Sequence, residues 1–265
     1  MILPMNLPMK QISSRDNPTY KELLALASER KTRRKTGSTL LDGVHLLQAG
    51  YDAGVAFRRL IFSESAATGD LADWAWRLPD TPACVLPDAL FNALTPVETP
   101  TGVLAEIAIP PAAHSGQDNG IVLLENIQDP GNLGAILRVA AAAGVDAIYL
   151  SQGCAEAWSP KCLRGGQGAH FLLAIHENAD LPVLAQNFSG PVYAASLGGT
   201  AALFDLDLRG PIGFAFGNEG AGLSDQLCAV AQPFIIPMPG KVESLNVATA
   251  AAVCLFERVR QRHVA

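Results

Sequence analysis

Apolar residues along this chain fall into short runs of two spacings. Alternation between the two predicts an α/β protein built in two parts. Over residues 13–36, Leu23, Leu24, Leu26 and Ala27 form an apolar stripe behind Asn17-Pro18, which reads as a cap and first turn, so a helix is expected. Residues 39–49, TLLDGVHLLQA, read as a strand running into a helix. Further strands are expected at 59–62, 84–86 and 103–109. Helices are expected at 71–78, which carries Trp74 and Trp76, and at 88–94, opened by Asp88 as a cap after Pro87. This half predicts a small α/β domain.

The stretch 110–119 is small and polar with two prolines, which predicts a linker between domains at 1–109 and 120–265. Beyond it, strands are expected at 121–124, 146–150, 171–175, 192–195, 213–216 and 234–236. Helices are expected at 133–143, closed by Gly144, and at 159–168, 181–187, 224–228 and 247–262. The run at 121–124 is wholly apolar, as in a strand buried on both faces of a parallel sheet. The fold class is therefore α/β, a parallel sheet with helices on both faces, preceded by a smaller α/β domain. The last third attracts most interest. The strand at 213–216 stops at Gly217-Asn218-Glu219-Gly220-Ala221-Gly222, and the strand at 234–236 runs into Pro237, Pro239 and Gly240. Two strands ending in glycine-bearing loops supply what a ligand crevice at the carboxyl edge of a parallel sheet requires.

Composition narrows the classes. The 265 residues are 49% hydrophobic and 17% charged, enough for one large or two ordinary cores. No apolar run reaches the length of a membrane span, so no membrane partner is expected. The opening MILPMNLPMKQ lacks a basic segment and a long apolar core, and reads as no signal peptide. Five scattered cysteines fit neither a disulfide framework nor a zinc site, which points to reduced thiols, a cytoplasmic protein and no metal. Net charge is −6, but it is unevenly spread. Residues 1–36 hold eight basic and three acidic side chains, net +5, against eleven basic and twenty-two acidic in the remainder. The cluster Arg30, Lys31, Arg33, Arg34 and Lys35 is thus either a phosphate-contacting patch or a solvated helix end.

Several chemistries are absent as motifs. There is no GxGxxG between a first strand and helix, and no GxSxG elbow. Pro239-Gly240-Lys241 resembles the end of a phosphate loop, but the earlier glycine is missing and no Ser or Thr follows Lys241. What remains is a set of polar residues at loop–helix junctions: Asn132, Arg138, Glu219, Ser244 and Asn246. Arg138, among Ala, Ile, Leu and Val, needs an anionic partner, either a ligand or an ion pair with Glu219 or Asp129. Asn132 and Ser244 are equally readable as helix caps.

Three segments resemble the motifs of the SpoU (TrmH-type) RNA 2′-O-ribose methyltransferases, in order and separation. They are Asn126-x-x-x-Pro130-x-Asn132-x-Gly134-x-x-x-Arg138, Phe216-Gly217-Asn218-Glu219-Gly220-x-Gly222-Leu223-Ser224, and Ile236-Pro237-Met238-x-Gly240-x-x-x-Ser244-Leu245-Asn246-Val247. More loosely, 41–47, with Asp42 where Glu is usual, and 99–103 resemble the L30e-like substrate-binding domain often fused to this family. The resemblance implies a carboxy-terminal α/β trefoil knot, which pattern alone would not suggest, because knots are nearly absent from proteins. It implies S-adenosylmethionine held at Gly217, Ile236 and Leu245, with Asn218, Pro237, Met238, Ser196, Leu197 and Gly198 nearby. It further implies a homodimer through the knotted domain, and structured RNA as substrate, ribosomal RNA favoured over transfer RNA. Arg138 is then expected to bind phosphate and stabilise developing alkoxide, because guanidinium stays protonated. Glu219 would orient it, Ser244 and Asn246 would bond the ribose or Arg138, and Asn132 would fix the first loop. A non-catalytic RNA-binding assembly factor of the same fold is the competing class.

Overall fold

The computed structural model describes residues 9–67, 70–97, 99–112, 119–218 and 220–263. Packing divides the chain into two units, residues 1–110 with 158–164, and residues 111–157 with 165–265. Each is taken in turn.

The first unit is a five-stranded sheet with flanking helices. Its strands are β1 (Lys10–Gln11), β2 (Ser38–Asp42), β3 (Phe57–Ser63), β4 (Ala83–Leu86) and β5 (Val103–Ala108). They run in the order β1-β4-β3-β5-β2, with β5 antiparallel to both its neighbours. The helices are α1 (Pro18–Ser28), α2 (Arg30–Thr36), α3 (Val44–Asp52), α4 (Asp73–Arg77) and α5 (Asp88–Asn92). Asn17 caps α1 as expected, its side chain accepting from Thr19 N at 2.9 Å. The single helix expected over 13–36 is instead two, broken where Glu29 turns extended. Arg33 explains the break. Its guanidinium folds back to donate to the last carbonyls of α1, at Leu26 and Ala27, and is only 4% exposed. Asp88 does not cap α5; Pro87 holds that position, and the Asp88 carboxylate accepts from Ser65 N and Oγ instead. In the loosely matched segment, burial pushes the Asp42 carboxyl upward in pKa, opposed by a hydrogen bond from Thr95 Oγ1. Trp158 joins this unit, its carbonyl accepting from Thr39 Oγ1 at 2.6 Å.

The second unit is a seven-stranded sheet, parallel throughout. Its strands are β6 (Gly120–Leu124), β7 (Ala147–Leu150), β8 (Ala174–Glu177), β9 (Val192–Ala195), β10 (Ala201–Ala202), β11 (Ile212–Phe216) and β12 (Gln232–Ile235), ordered β10-β12-β9-β11-β6-β7-β8. Between them lie α6 (Pro130–Ala142), α8 (Leu181–Asn187), α9 (Asp225–Cys228) and, last, α10 (Val247–His263), with α7 (Pro160–Gly166) belonging to the first unit up to Arg164. Strand side chains alternate between two faces. Ile121, Leu123, Ala147, Tyr149, Val192 and Ala215 pack with Leu181 and Ala185 of α8 and Leu227 of α9. On the other face α10 packs against α6 and β11. The rings of Phe214, Phe216, Phe234 and Tyr193 form a contiguous set, Phe214 and Phe234 being 5.8 Å apart. Gly134 of the first motif has a packing reason: a Cβ on Gly165 of α7 would stand 3.2 Å from its Cα, so the two helices meet backbone to backbone.

One strand starts later than expected, and one was not expected. Over 171–175, a 3₁₀ turn at Ala169–Phe171 delays β8 to Ala174, because Gly168 reverses the chain at φ 91° and buries His170. The two-residue β10 has too short an apolar signature to be read. The end of α10 is pinned under the sheet. Arg258 is buried, and its guanidinium donates to Asn119 O at 2.7 Å and Gly210 O at 3.4 Å, while Gln261 bonds Leu206 O and Leu208 N.

His170 sets a pH dependence. Its Nε2 lies 2.8 Å from Ala157 O, and burial lowers its pKa to about 4, the backbone bond opposing. The unfolded chain, with a His pKa near 6.5, binds more protons across that window, so stability falls as pH drops from about 6.5 toward 4. Urea titrations should show about 2 kcal/mol lost between roughly pH 7 and pH 5 from this group. His170→Gln should remove that component of the slope; an unchanged slope would refute the assignment.

Candidate active site

Three loops leave the carboxyl ends of β9, β11 and β12 and enclose a cavity of about 610 Å³. Ser196, Leu197 and Gly198 come from the first loop, Gly217, Asn218 and Gly220 to Leu223 from the second, and Ile236, Pro237, Met238, Val242, Ser244 and Leu245 from the third. None of the described lining residues carries a formal charge. The volume suits a nucleoside-sized ligand.

The second loop is closed upon itself. Asn218 N donates to Gly222 O at 3.1 Å, Gly222 N returns to Asn218 O at 2.8 Å, and Asn218 Oδ1 accepts from Gly220 N and Ala221 N. Its glycines allow positive φ and close approach, but the close approach is to the loop's own backbone. Only Gly222 has a left-handed backbone, at φ 69°. Gly217 is required because a Cβ there would sit 2.2 Å from Gly222 O and 2.6 Å from Leu223 N. In the first loop Gly199, not singled out in the sequence, is pressed flat on β12, where a Cβ would lie 2.5 Å from the Phe234 carbonyl carbon. The adjacent pair Gly198-Gly199 was the available signal.

The polar set is only partly assembled here. Asn246 caps α10, its Oδ1 accepting from Ala248 N at 2.9 Å and Thr249 N at 3.3 Å, and its Nδ2 donates to Asn132 Oδ1 at 3.0 Å. The third loop and the start of α6 are thereby joined. Asn132 is not the cap of α6; Asp129 is, accepting from Asn132 N at 2.8 Å. Ser244 lines the cavity and leaves the capping of α10 to Asn246. Arg138 does not line the cavity. It stands exposed on α6, six residues beyond Asn132, a rise of about 9 Å. Glu219 lies outside the described residues. Of the basic cluster, Lys31, Arg34 and Lys35 are exposed, Arg30 is half-buried, and Arg33 is turned inward.

One residue went unnoticed in the sequence. Glu125, buried at the end of β6, accepts from Ser224 N at 2.6 Å and from Ser224 Oγ at 2.7 Å. Both carboxylate oxygens thus clamp the end of the second loop to the central strand. Beside it Asn126, at φ 56°, accepts through its carbonyl from Asn218 Nδ2 at 3.1 Å. An acidic residue closing an apolar strand was a signal, but its partner lies 99 positions away.

Sheet order, loop placement and cavity define a crevice for an adenosine-like ligand at the carboxyl edge of a parallel α/β sheet. The chain belongs to the SpoU rRNA methylase family, whose model matches residues 119–256, and a model of the MRM3-like substrate binding domain matches residues 17–105. A tRNA/rRNA methyltransferase of Synechocystis, not further characterised, is 33% identical over 99% of this chain and 98% of its own length. A 23S rRNA guanosine 2′-O-methyltransferase of Bacillus subtilis is 32% identical over 94% of this chain and 98% of its own length. Among solved structures, the SpoU methyltransferase AviRb of Streptomyces viridochromogenes in complex with AdoMet superposes with a TM-score of 0.85, at 27% identity, over 93% of this chain and 98% of that one.

Gly217→Ala should weaken binding of S-adenosylhomocysteine at least about tenfold by calorimetry, since backbone rather than a flexible side chain must yield. Gly240→Ala, where a Cβ meets nothing within 4 Å, is the matched control and should leave binding unchanged. Equal effects of the two would show that the loop's own backbone is not the constraint.

Proposed function

We propose that this chain transfers a methyl group from S-adenosylmethionine to a ribose 2′-hydroxyl of ribosomal RNA, acting in the cytoplasm as a homodimer with a trefoil-knotted carboxy-terminal domain. The observation that carries the reading is the 610 Å³ cavity formed by three glycine- and proline-bent loops at neighbouring strand ends. Family membership and the named activities of the relatives support it. The residues fit the cofactor. Main chain at Gly217, Ile236 and Leu245 would read the adenine edge, with the apolar side chains of Leu197, Ile236 and Leu245 against its faces. Ser196, Gly198, Asn218, Pro237 and Met238 complete the cradle. When bound, the cofactor supplies an electrophilic methyl on a sulfonium. The protein's own task is to orient the ribose and to stabilise charge as the hydroxyl loses its proton.

Ser244, at the cavity wall, would bond the ribose. The Asn132–Asn246 bond would hold the third loop in register with the start of α6. Arg138 keeps its role on phosphate and developing alkoxide, supplied in this reading by a second copy. It lies off the cavity of its own chain, on a helix whose exposed positions also include Ala142. The partner helix α10 presents Phe256, 50% exposed, with Val253 beside it. That apolar outer surface is the proposed dimer face, across which Arg138 would meet the other cavity. Glu219 would orient it there. In the first unit, Lys31, Arg34 and Lys35 would contact RNA phosphates, with Arg30 at the patch's margin. Arg33 supports the patch from beneath.

Incubation with labelled S-adenosylmethionine and ribosomal RNA from cells lacking the protein should give ribose-methylated product; label on transfer RNA alone, or none, would overturn the substrate or the activity. Arg138→Ala and Gly217→Val should each abolish transfer. An equal mixture of the two, refolded together, should recover about a quarter of wild-type activity, because half the dimers carry one intact composite site. No recovery would return Arg138 to its own chain's site. Replacing Lys31, Arg34 and Lys35 by Ala should reduce the salt slope of RNA binding by about two to three.

A further inference from the structure

A second recess opens at the same edge of the sheet, on the far side of β6 from the cofactor cavity. It measures about 350 Å³ and is lined by Glu125, Asn126, Ser151, Gln152 and Gly153, from the carboxyl ends of β6 and β7. We infer that it is a subsite for the unpaired base of a nucleotide flanking the methylated ribose, read by the side-chain amides of Asn126 and Gln152. The inference rests on the RNA methyltransferase reading above and adds where sequence context is sensed.

Four observations carry it. First, none of the described lining residues is cationic, so the recess is not a phosphate seat. The acid among them, Glu125, is already engaged, both its oxygens being held by Ser224, which leaves neutral donors and acceptors to face a ligand. Second, the backbone of Asn126 is spent on the fold: its N–H donates to Ser151 Oγ at 3.0 Å and its carbonyl accepts from Asn218 Nδ2. The side chain is exposed and carries no structural bond among those of the described residues. Third, that amide lies across Gly153, where any Cβ would stand 1.9 Å from Asn126 Oδ1. The bare α-carbon at Gly153 leaves room for the carboxamide over the recess, with the exposed Gln152 adjoining it. Asn and Gln amides pair with the hydrogen-bonding edge of a base through two bonds at once, and RNA is read mainly through unpaired bases. Fourth, the spacing suits a neighbouring nucleotide. β6, whose end lines the recess, pairs directly with β11, whose loop forms the cofactor cavity's near wall, so the two sites adjoin, one inter-strand step of about 5 Å apart. Asn218 forms part of that wall and also holds Asn126.

The test uses the full chain saturated with S-adenosylhomocysteine, titrated with each of the four ribonucleosides and with inorganic phosphate, and followed by amide NMR. At least one nucleoside should shift Asn126, Gln152 and Gly153, and phosphate should not. Gln152→Ala and Asn126→Gly, the latter keeping the left-handed backbone free of strain, should each abolish those shifts. Shifts from phosphate alone, from no nucleoside, or surviving both variants would overturn the subsite. In methyl transfer to ribosomal RNA, Gln152→Ala should raise KM for RNA about tenfold while leaving kcat and cofactor affinity unchanged. A protein that binds a nucleoside here but methylates no RNA would retain the subsite and refute the proposed function.

Discussion

No side chain can be placed at Gly217 without breaking the loop that contains it, and the rest of the carboxy-terminal unit is arranged around that crowding. The loop closes by two hydrogen bonds between Asn218 and Gly222, so its backbone faces inward upon itself. Gly199 repeats the device one strand over, pressed on the backbone of β12. Main chain packed on main chain leaves little freedom at either place. A cavity wall made this way is rigid without bulky side chains, and it presents amide and carbonyl groups that do not depend on rotamers. That property suits recognition of a flat heterocycle whose edge offers donors and acceptors in a fixed pattern.

Rigidity within each loop would be of little use if the loops moved independently. Three polar ties prevent this. Glu125 holds Ser224 at the end of the second loop, Asn126 holds Asn218 at its start, and Asn132 holds Asn246 at the end of the third. All three originate in the segment that leaves the central strand β6. This segment therefore touches both the cofactor side and, through Asn126, the recess on the other side. A buried carboxylate with two donors is costly to leave half-satisfied, which makes Glu125 a discriminating fastener and not merely a sticky one.

Much of the fold was legible in the sequence, and the reasons are physical. Strands such as 121–124 and 192–195 announce themselves because both faces are buried and the run is wholly apolar. Helices such as 181–187 are bounded by caps that are themselves local. The failures came where a distant partner decided a local outcome. The break between α1 and α2 follows from Arg33 reaching back to Leu26 and Ala27, which no propensity encodes. The delayed start of β8 follows from burial of His170. At the site, the loops that line the cavity were readable from their glycines and prolines, although the purpose of Gly217 was not. Glu125 escaped because its meaning lies in Ser224, and the exposure of Arg138 away from the cavity escaped because a motif specifies residues and not the way a helix turns them.

The anchoring of α10 has a consequence for biosynthesis. The helix begins at Asn246, beside the cofactor loops, and its far end is moored by Arg258 and Gln261 to backbone preceding β6 and β11. Until those last turns have left the ribosomal tunnel, the third loop lacks its mooring and the cradle remains open. Nascent chains would therefore be blind to the methyl donor until α10 has docked.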